Sequence, residues 1–249
     1  MKKRLASCLL AATLAPGVVA AAPTPPHRSV YKPALILQWK DRLHVANERL
    51  QQADWKQGRD IADAVMREMR DRIVSGEASG DLLAVALLFR AIGEAGLNDA
   101  EAAAWDFGTA QSLYPGYEKV DLKPYGAAGA SLDQYRYKNG SPPDPSAWAD
   151  SDGRTDRQVT PPRKVSGQTG EYPLAKARSC VQQPVVVRTI INEQGRPESP
   201  SLPAATDPVL ALAAFDAVRT WRFEPAQQDG KPVRVAFLLT VNFKVRQCY

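Results

Sequence analysis

The sequence predicts an α+β protein, in which an all-helical first part is followed by a small C-terminal domain of mixed structure. Between Pro33 and Pro115, apolar residues recur at the three- and four-residue steps of amphipathic helices. From residue 159 onward, a β-branched run, one helical segment and one long alternating run follow each other instead. We therefore expect helices first, and then a three-stranded antiparallel sheet with one main helix.

Four helical segments make up the first part, which we assign to residues 31–117. The first spans Ala34 to Gln52, the second follows Gly58, the third spans Asp81 to Ala95, and the fourth ends before Pro115. The third segment is apolar around most of its circumference, which is typical of a buried helix. We therefore expect it to form the centre of this half.

The third and fourth segments are similar to one tetratricopeptide repeat. The positions at which that repeat takes a large, small, small, aromatic, small and proline residue are occupied by Leu87, Ala91, Ala103, Phe107, Ala110 and Pro115. Such repeats usually need about three units or a cap to be stable alone, and a plain four-helix bundle is an alternative. Either arrangement would offer a surface to another protein.

Residues 118–158 are rich in glycine and proline, and their few aromatic residues follow no period. This composition predicts a flexible linker, which separates the two halves without fixing the angle between them. Some of the aromatic residues could attach this linker to the helical half.

The C-terminal domain, residues 159–249, contains the predicted sheet. Val185–Asn192 is a β-branched strand that ends at a turn containing Gly195, and Asp207-Pro208 caps a helix of about three to four turns. Val233–Val245 alternates with period two, and it begins after Pro232 because proline cannot donate to a β-ladder. If the strands are ordered second, first, third, the last strand has one free edge.

Several spaced motifs in this domain resemble the C-terminal domain of TonB-family energy transducers. They are Tyr172-Pro173, the valine-rich strand with its turn at Gly195, the run Trp221-Arg222-Phe223-Glu224-Pro225-Ala226, and the entry Gly230-Lys231-Pro232-Val233 to the last strand. The resemblance covers roughly residues 159–245 and implies a role in energy-coupled outer-membrane transport. We expect Trp221, Phe223 and Pro225 to pack at the corner between helix and strand.

The resemblance implies that the last strand binds a partner peptide, because the family takes up the TonB box of outer-membrane receptors along this strand. A free strand edge presents unpaired N–H and C=O groups, which an incoming strand can satisfy. We assign this role to Val233, Arg234, Val235, Ala236, Phe237, Leu238, Leu239, Thr240, Val241, Asn242 and Phe243. The outward Arg234, Leu238, Thr240 and Asn242 would select the partner. Alternatively, these are ordinary surface residues and the edge is covered by the linker or by a second copy.

Residues 1–22 have the form of a secretory signal peptide, with a basic start, an apolar middle and small residues before its end. We expect the mature protein in the periplasm, and the alternative is an uncleaved anchor in the inner membrane. A true TonB transducer needs such an anchor, with a serine and a histidine on its helix. This segment has Ser7 but no histidine, so we favour the free periplasmic protein over the anchored transducer.

Export determines how the cysteines are interpreted. Cys8 would leave with the signal peptide, and Cys180 and Cys248 would remain in an oxidising compartment. They flank the first and last strands, whose antiparallel pairing would bring them within disulfide reach. We expect a disulfide, with two unpaired thiols as the alternative.

Neither an enzyme nor a nucleic-acid-binding protein is expected. His27 and His44 are the only histidines, which is too few for a metal site with at least three protein ligands, and no nucleophile motif is present. The net charge of +5, less the three cations of the signal segment, is only +2. We expect no cofactor and no metal. The expected partners are proteins or peptides, including TonB-dependent receptors, with homodimerisation as a further possibility. In another alternative, the helical half is a scaffold that binds partners while the C-terminal domain dimerises.

Overall fold

The structure is a computed structural model, and it describes residues 33–74, 80–138, 159–173, 184–203 and 206–243. Its helices are α1 (Pro33–Gln51), α2 (Trp55–Val74), α3 (Gly80–Gly96), α4 (Ala100–Leu113), α5 (Gly126–Asp133) and α6 (Pro208–Arg219). Its strands are β1 (Val159–Thr160), β2 (Arg163–Ser166), β3 (Val185–Ile191), β4 (Pro197–Ser201), β5 (Arg222–Glu224), β6 (Ala226–Gln228), β7 (Lys231–Val233) and β8 (Val235–Val241). The predicted α+β class is confirmed.

The first four helices agree with the four segments expected from sequence. The Asp99 side chain caps α4 by accepting a hydrogen bond from the Ala102 N–H at 3.1 Å, and α4 ends just before Pro115. Helix α3 packs on α1, α2, α4 and α5, so it forms the centre of this half as predicted. Its buried residues are Leu83, Ala84, Ala86, Leu87, Leu88, Ala91, Ile92, Gly93 and Glu94.

The repeat-like positions fall in the core of the helical half. Leu87, Ala91, Ala103, Phe107 and Ala110 are all buried. In addition, α1 packs on both α2 and α3, which is how neighbouring helical hairpins stack. The assignment to the tetratricopeptide class stays a prediction.

The start of the expected linker is folded. Residues 118–138 contain the end of one 3₁₀ turn, a second 3₁₀ turn and α5, and they bury Leu122, Tyr125 and Leu132 in the core of the helical half. The Tyr125 hydroxyl donates to Asn47 Oδ1 of α1 at 2.6 Å. The expected boundary at residue 118 was therefore too early, because single apolar side chains without a period can still pack one by one. Residues 139–158 lie outside the described residues.

The central sheet of the C-terminal domain has the order β4-β3-β8, with antiparallel neighbours. This is the expected order of second, first and third strand. Val185 lies opposite Val241 and Ile191 lies opposite Val235, so β3 and β8 pair over their full lengths. Helix α6 packs on one face of this sheet, and the Asp207 side chain caps it by accepting from the N–H groups of Val209 and Leu210 at 3.0 and 3.3 Å.

A second, kinked ribbon adjoins the sheet. β1 pairs with β6 and β2 pairs with β5, so that the lead-in segment runs antiparallel to residues 222–228. Prolines interrupt both sides of this ribbon, at Pro161-Pro162 and at Pro225. β6 then turns into β7 through Asp229 and Gly230, which both have positive φ, as two-residue hairpin turns require.

The expected continuous strand from Val233 to Val245 is wrong at its start. Pro232 lies within β7, opposite Gln227, and β7 is an edge strand in which a missing N–H is tolerated. At Arg234 the chain leaves that sheet, and β8 begins at Val235 in the other sheet. The alternation continues across the break, so the sequence pattern does not show it.

The two halves pack against each other. Trp105 of α4 lies in the core of the C-terminal domain, whereas Val209 and Leu212 of α6 pack on the core of the helical half. The expectation that the angle between the halves is not fixed is therefore wrong, because the two halves pack directly on each other. Among the described residues, no helix is both long enough and apolar enough to cross a membrane. The expected signal segment, residues 1–22, lies outside the described residues.

Candidate peptide-binding edge

Strand β8 lies at one edge of the central sheet. It pairs with β3 on one side, and no other described strand pairs with its second side. From Val235 to Phe243 the sequence contains neither proline nor glycine. Every residue of this stretch therefore carries both an N–H donor and a C=O acceptor for a further strand.

Strand β4, at the opposite edge, is poorly suited to take up a strand. Its five residues include Pro197 and Pro200, which lack an N–H group. It also packs against α4 of the helical half. Of the two outer strands of this sheet, only β8 has a backbone N–H group at every residue.

The two faces of β8 differ. Val235, Leu239 and Val241 are buried in the core between the sheet and α6, together with the half-buried Phe237. On the other face, Ala236 is buried but the Leu238 side chain is 61% exposed. An exposed leucine on a strand edge is an unfavourable arrangement in isolation, and it favours contact with another chain.

The exposed face continues onto the neighbouring strand and along β8. Val186 lies opposite Thr240, and Arg188 lies opposite Leu238. Val186 is one of the exposed large apolar residues of the described chain, and Thr240 and Asn242 are exposed as well. The positions expected to select a partner, Leu238, Thr240 and Asn242, therefore lie together on one accessible face.

Arg234 does not share this arrangement. Its guanidinium donates to Glu198 Oε2 of β4 at 2.6 Å, and Glu198 also accepts from Asn192 Nδ2 at 2.6 Å. Arg234 therefore bridges to the far side of the sheet instead of standing free beside β8. No local pattern marks this pair, because thirty-five residues separate its members.

Residues 170–173 pack near the C-terminal end of β8. The rings of Tyr172 and Phe243 meet edge to face, with centroids 6.1 Å apart. A side chain at Gly170 would lie 2.9 Å from both Val241 and Phe243, so the backbone approaches β8 closely here. Pro173 lies in the same segment and lines a cavity of about 360 Å³ against α6. Val233 does not belong to this edge, because it is paired with Ala226 in the other sheet.

The aromatic residues of the TonB-like hexapeptide are packed, as expected for a corner. Trp221 Nε1 donates to the Gln168 carbonyl at 2.7 Å, and Lys164 Nζ lies 3.3 Å from the centroid of its ring. Phe223 is buried and meets Phe237 of β8 edge to face at 6.5 Å. These contacts fix the inner side of β8, and they leave neither aromatic ring available to a partner.

Two glycines of the motif adopt conformations that disfavour side chains. Gly195 has φ of +72°, and a Cβ atom there would lie 1.8 Å from the Phe223 carbonyl oxygen. The Phe223 N–H donates to the Gly195 carbonyl at 2.9 Å, so this turn also holds β5 in place. Gly230 has φ of +75° in the β6–β7 turn, with open space around it.

The expected disulfide lies outside the described residues. The pairing of Val185 with Val241 does place the start of β3 beside the end of β8, which is the arrangement that the bond requires. The bond between Cys180 and Cys248 stays a prediction. Within the described ranges, no group of three or more His, Cys, Asp or Glu side chains is arranged to hold a metal ion.

Comparison with known proteins agrees with the motifs. The family model described as Gram-negative bacterial TonB protein C-terminal matches residues 169–245, a range that includes β3, β4, α6 and β5 to β8. The comparisons with curated proteins and with solved structures found no match. The matched domain belongs to periplasmic energy transducers, and it supports a TonB-like role for residues 169–245 in energy-coupled outer-membrane transport. Residues 169–245 are therefore a C-terminal domain of the TonB family.

Proposed function

We propose that the protein binds extended segments of partner proteins by strand addition to β8, in the periplasm, as part of energy-coupled outer-membrane transport. It acts by binding and not by catalysis. Its partners are the TonB-box segments of outer-membrane receptors. The proposal includes the free periplasmic form, in which residues 1–22 have been removed.

The single observation that carries this proposal is the accessible edge of β8. Its backbone is uninterrupted by proline, its one described neighbour is β3, and Leu238 stands exposed beside it. A strand added here would satisfy the outward N–H and C=O groups of β8. It would also cover Leu238, and burial of a leucine side chain contributes roughly 1.5–3 kcal/mol.

The test compares Leu238→Glu with Leu37→Glu in the full chain. Leu37 is a matched control, because it is 60% exposed where Leu238 is 61% exposed, and it lies on α1. The probes are synthetic peptides with the TonB-box segments of receptors from the same organism, and their affinity is measured by calorimetry. We expect Leu238→Glu to weaken binding at least ten-fold, since about 1.4 kcal/mol corresponds to a factor of ten.

The control is expected to bind as tightly as the unchanged chain. Equal affinities for both variants would show that the peptide does not cover Leu238, and they would overturn the proposed site. Absence of binding to the unchanged chain by every receptor peptide would overturn the proposed partner class.

A further inference from the structure

Part of the face formed by α1 and α3 is covered by residues that follow α4 in the chain. Helix α5 packs on α3 and the 3₁₀ turn at Lys123–Tyr125 packs on α1. Leu122 and Leu132 of this segment are buried in the same core as these helices. Part of the surface on which a helical repeat would receive another protein is therefore occupied by the chain's own residues.

The opposite side of the helical half lies on the edge of the sheet. The Tyr137 hydroxyl donates to the Pro200 carbonyl of β4 at 2.6 Å, and Ser112 Oγ lies 2.9 Å from the same oxygen. Tyr137 is held in place by its own backbone N–H, which donates to Gln111 Oε1 at 2.7 Å. The outward carbonyl of β4 is therefore satisfied from within the chain.

The backbone of α4 approaches this edge as closely as a glycine permits. A Cβ atom at Gly108 would lie 2.4 Å from the Tyr137 hydroxyl oxygen and 3.0 Å from Pro200 Cδ. Any side chain at this position would push Tyr137 and Pro200 away from α4. The fit between α4 and β4 thus depends on the absence of a single side chain.

Charged groups also join the helical half to the C-terminal domain. Asp106 of α4 is buried, and its carboxylate accepts from Arg90 of α3 and from Arg219 Nη1 of α6, the latter at 3.2 Å. Arg70 of α2 forms a second ion pair, with Asp216 of α6. These contacts hold α6, and with it the sheet, against three helices of the first half.

We propose that the helical half is a built-in cap for the C-terminal domain, which covers the β4 edge of the sheet and holds the two halves as one folding unit. This goes beyond the proposed function, because it assigns a role to residues 33–138 instead of to β8. The two cores support it, since each half contributes side chains to the core of the other. The cap leaves the sheet with one edge for a partner, at β8.

The test uses hydrogen exchange of the full chain without any peptide, measured by mass spectrometry. Gly108→Ala inserts the smallest side chain between α4 and β4. Gly80→Ala is the matched control, since a Cβ atom there meets only Pro208 Cβ at an ordinary 3.9 Å. We expect exchange in β4 to become at least ten-fold faster in Gly108→Ala, and to stay within two-fold of the unchanged chain in Gly80→Ala.

A second variant keeps the test decisive if Gly108→Ala does not fold. Tyr137→Phe removes only the hydroxyl that donates to Pro200, and we expect it to speed exchange in β4 at least three-fold. Unchanged exchange in β4 for the folded variants, or equal acceleration in Gly80→Ala, would overturn the cap. So would two separate urea transitions for helices and sheet. None of these readouts depends on partner binding, so they are independent of the proposed function.

Discussion

Removal of the Asp106 carboxylate would test how much its buried ion pair with Arg90 stabilises the fold. The side chain of Asp106 is 1% exposed and that of Arg90 is 13% exposed, so the pair is shielded from water. Arg90 donates to both carboxylate oxygens, with Nη2 at 2.7 Å from Oδ1. Asp106→Ala would leave the Arg90 guanidinium buried with its main partner gone.

The size of the effect follows from burial. Breaking a buried ion pair by removing one partner typically costs about 3–5 kcal/mol. Arg90 keeps Asp63, whose Oδ1 lies 3.0 Å from Nη1, so we expect the lower end, about 3 kcal/mol. Asp60→Ala is the control, because Asp60 pairs with Arg59 at the surface, where such pairs contribute at most about 1 kcal/mol.

The assay is equilibrium unfolding in urea, followed by tryptophan fluorescence and by circular dichroism. Asp106→Ala should lower the free energy of unfolding by about 3 kcal/mol in one transition seen by both signals. A loss no larger than that of Asp60→Ala would refute the reasoning, because it would mean that the Arg90 charge does not depend on this carboxylate.

Three further results are expected. Burial raises the pKa of Glu94 to about 9, so between about pH 4.5 and 9 the folded chain holds a proton that the unfolded chain has released, and the free energy of unfolding falls as pH rises through this range. Glu94→Gln should flatten this decline in urea titrations at several pH values, and an unchanged decline would contradict the prediction. Gly195→Ala should lower the free energy of unfolding by more than 2 kcal/mol, whereas Gly230→Ala should lower it by about 1 kcal/mol. Both glycines have positive φ, but only at Gly195 would a Cβ atom meet a backbone oxygen. Equal losses of stability in thermal unfolding would contradict this prediction. Intact-mass analysis of exported protein should show Cys180 and Cys248 oxidised, and free thiols on both would disprove the bond.

The sequence predicted well the elements that are marked by local chemistry. Helix α6 begins where Asp207 and Pro208 place it, and α4 ends just before Pro115, because N-cap side chains and prolines act on their immediate neighbours. Gly195 likewise marks its turn through its own backbone conformation. The open edge of β8 followed from the expected strand order and the alternating pattern of its residues.

Features that join distant residues could not be predicted in the same way. The alternation from Val233 to Val241 is unbroken although the chain changes sheets at Arg234, since each sheet buries the same side of the strand. Helix α5 was missed because its eight residues include two glycines and only one large apolar side chain, that of the buried Leu132, so they show no apolar period. The contact between the halves did leave one signal, the aspartate at position 106 between Trp105 and Phe107, because a charge flanked by large apolar residues inside a helix predicts a buried partner.

The most direct test of the account is amide exchange in β8 of the full chain, measured with and without a receptor TonB-box peptide. Strand addition predicts that amides of residues 235–240 gain protection when the peptide is bound, while those of α1 and α2 do not change. Tight binding of the peptide with no added protection in β8 would contradict the central claim, because the peptide would then be held somewhere other than the open edge.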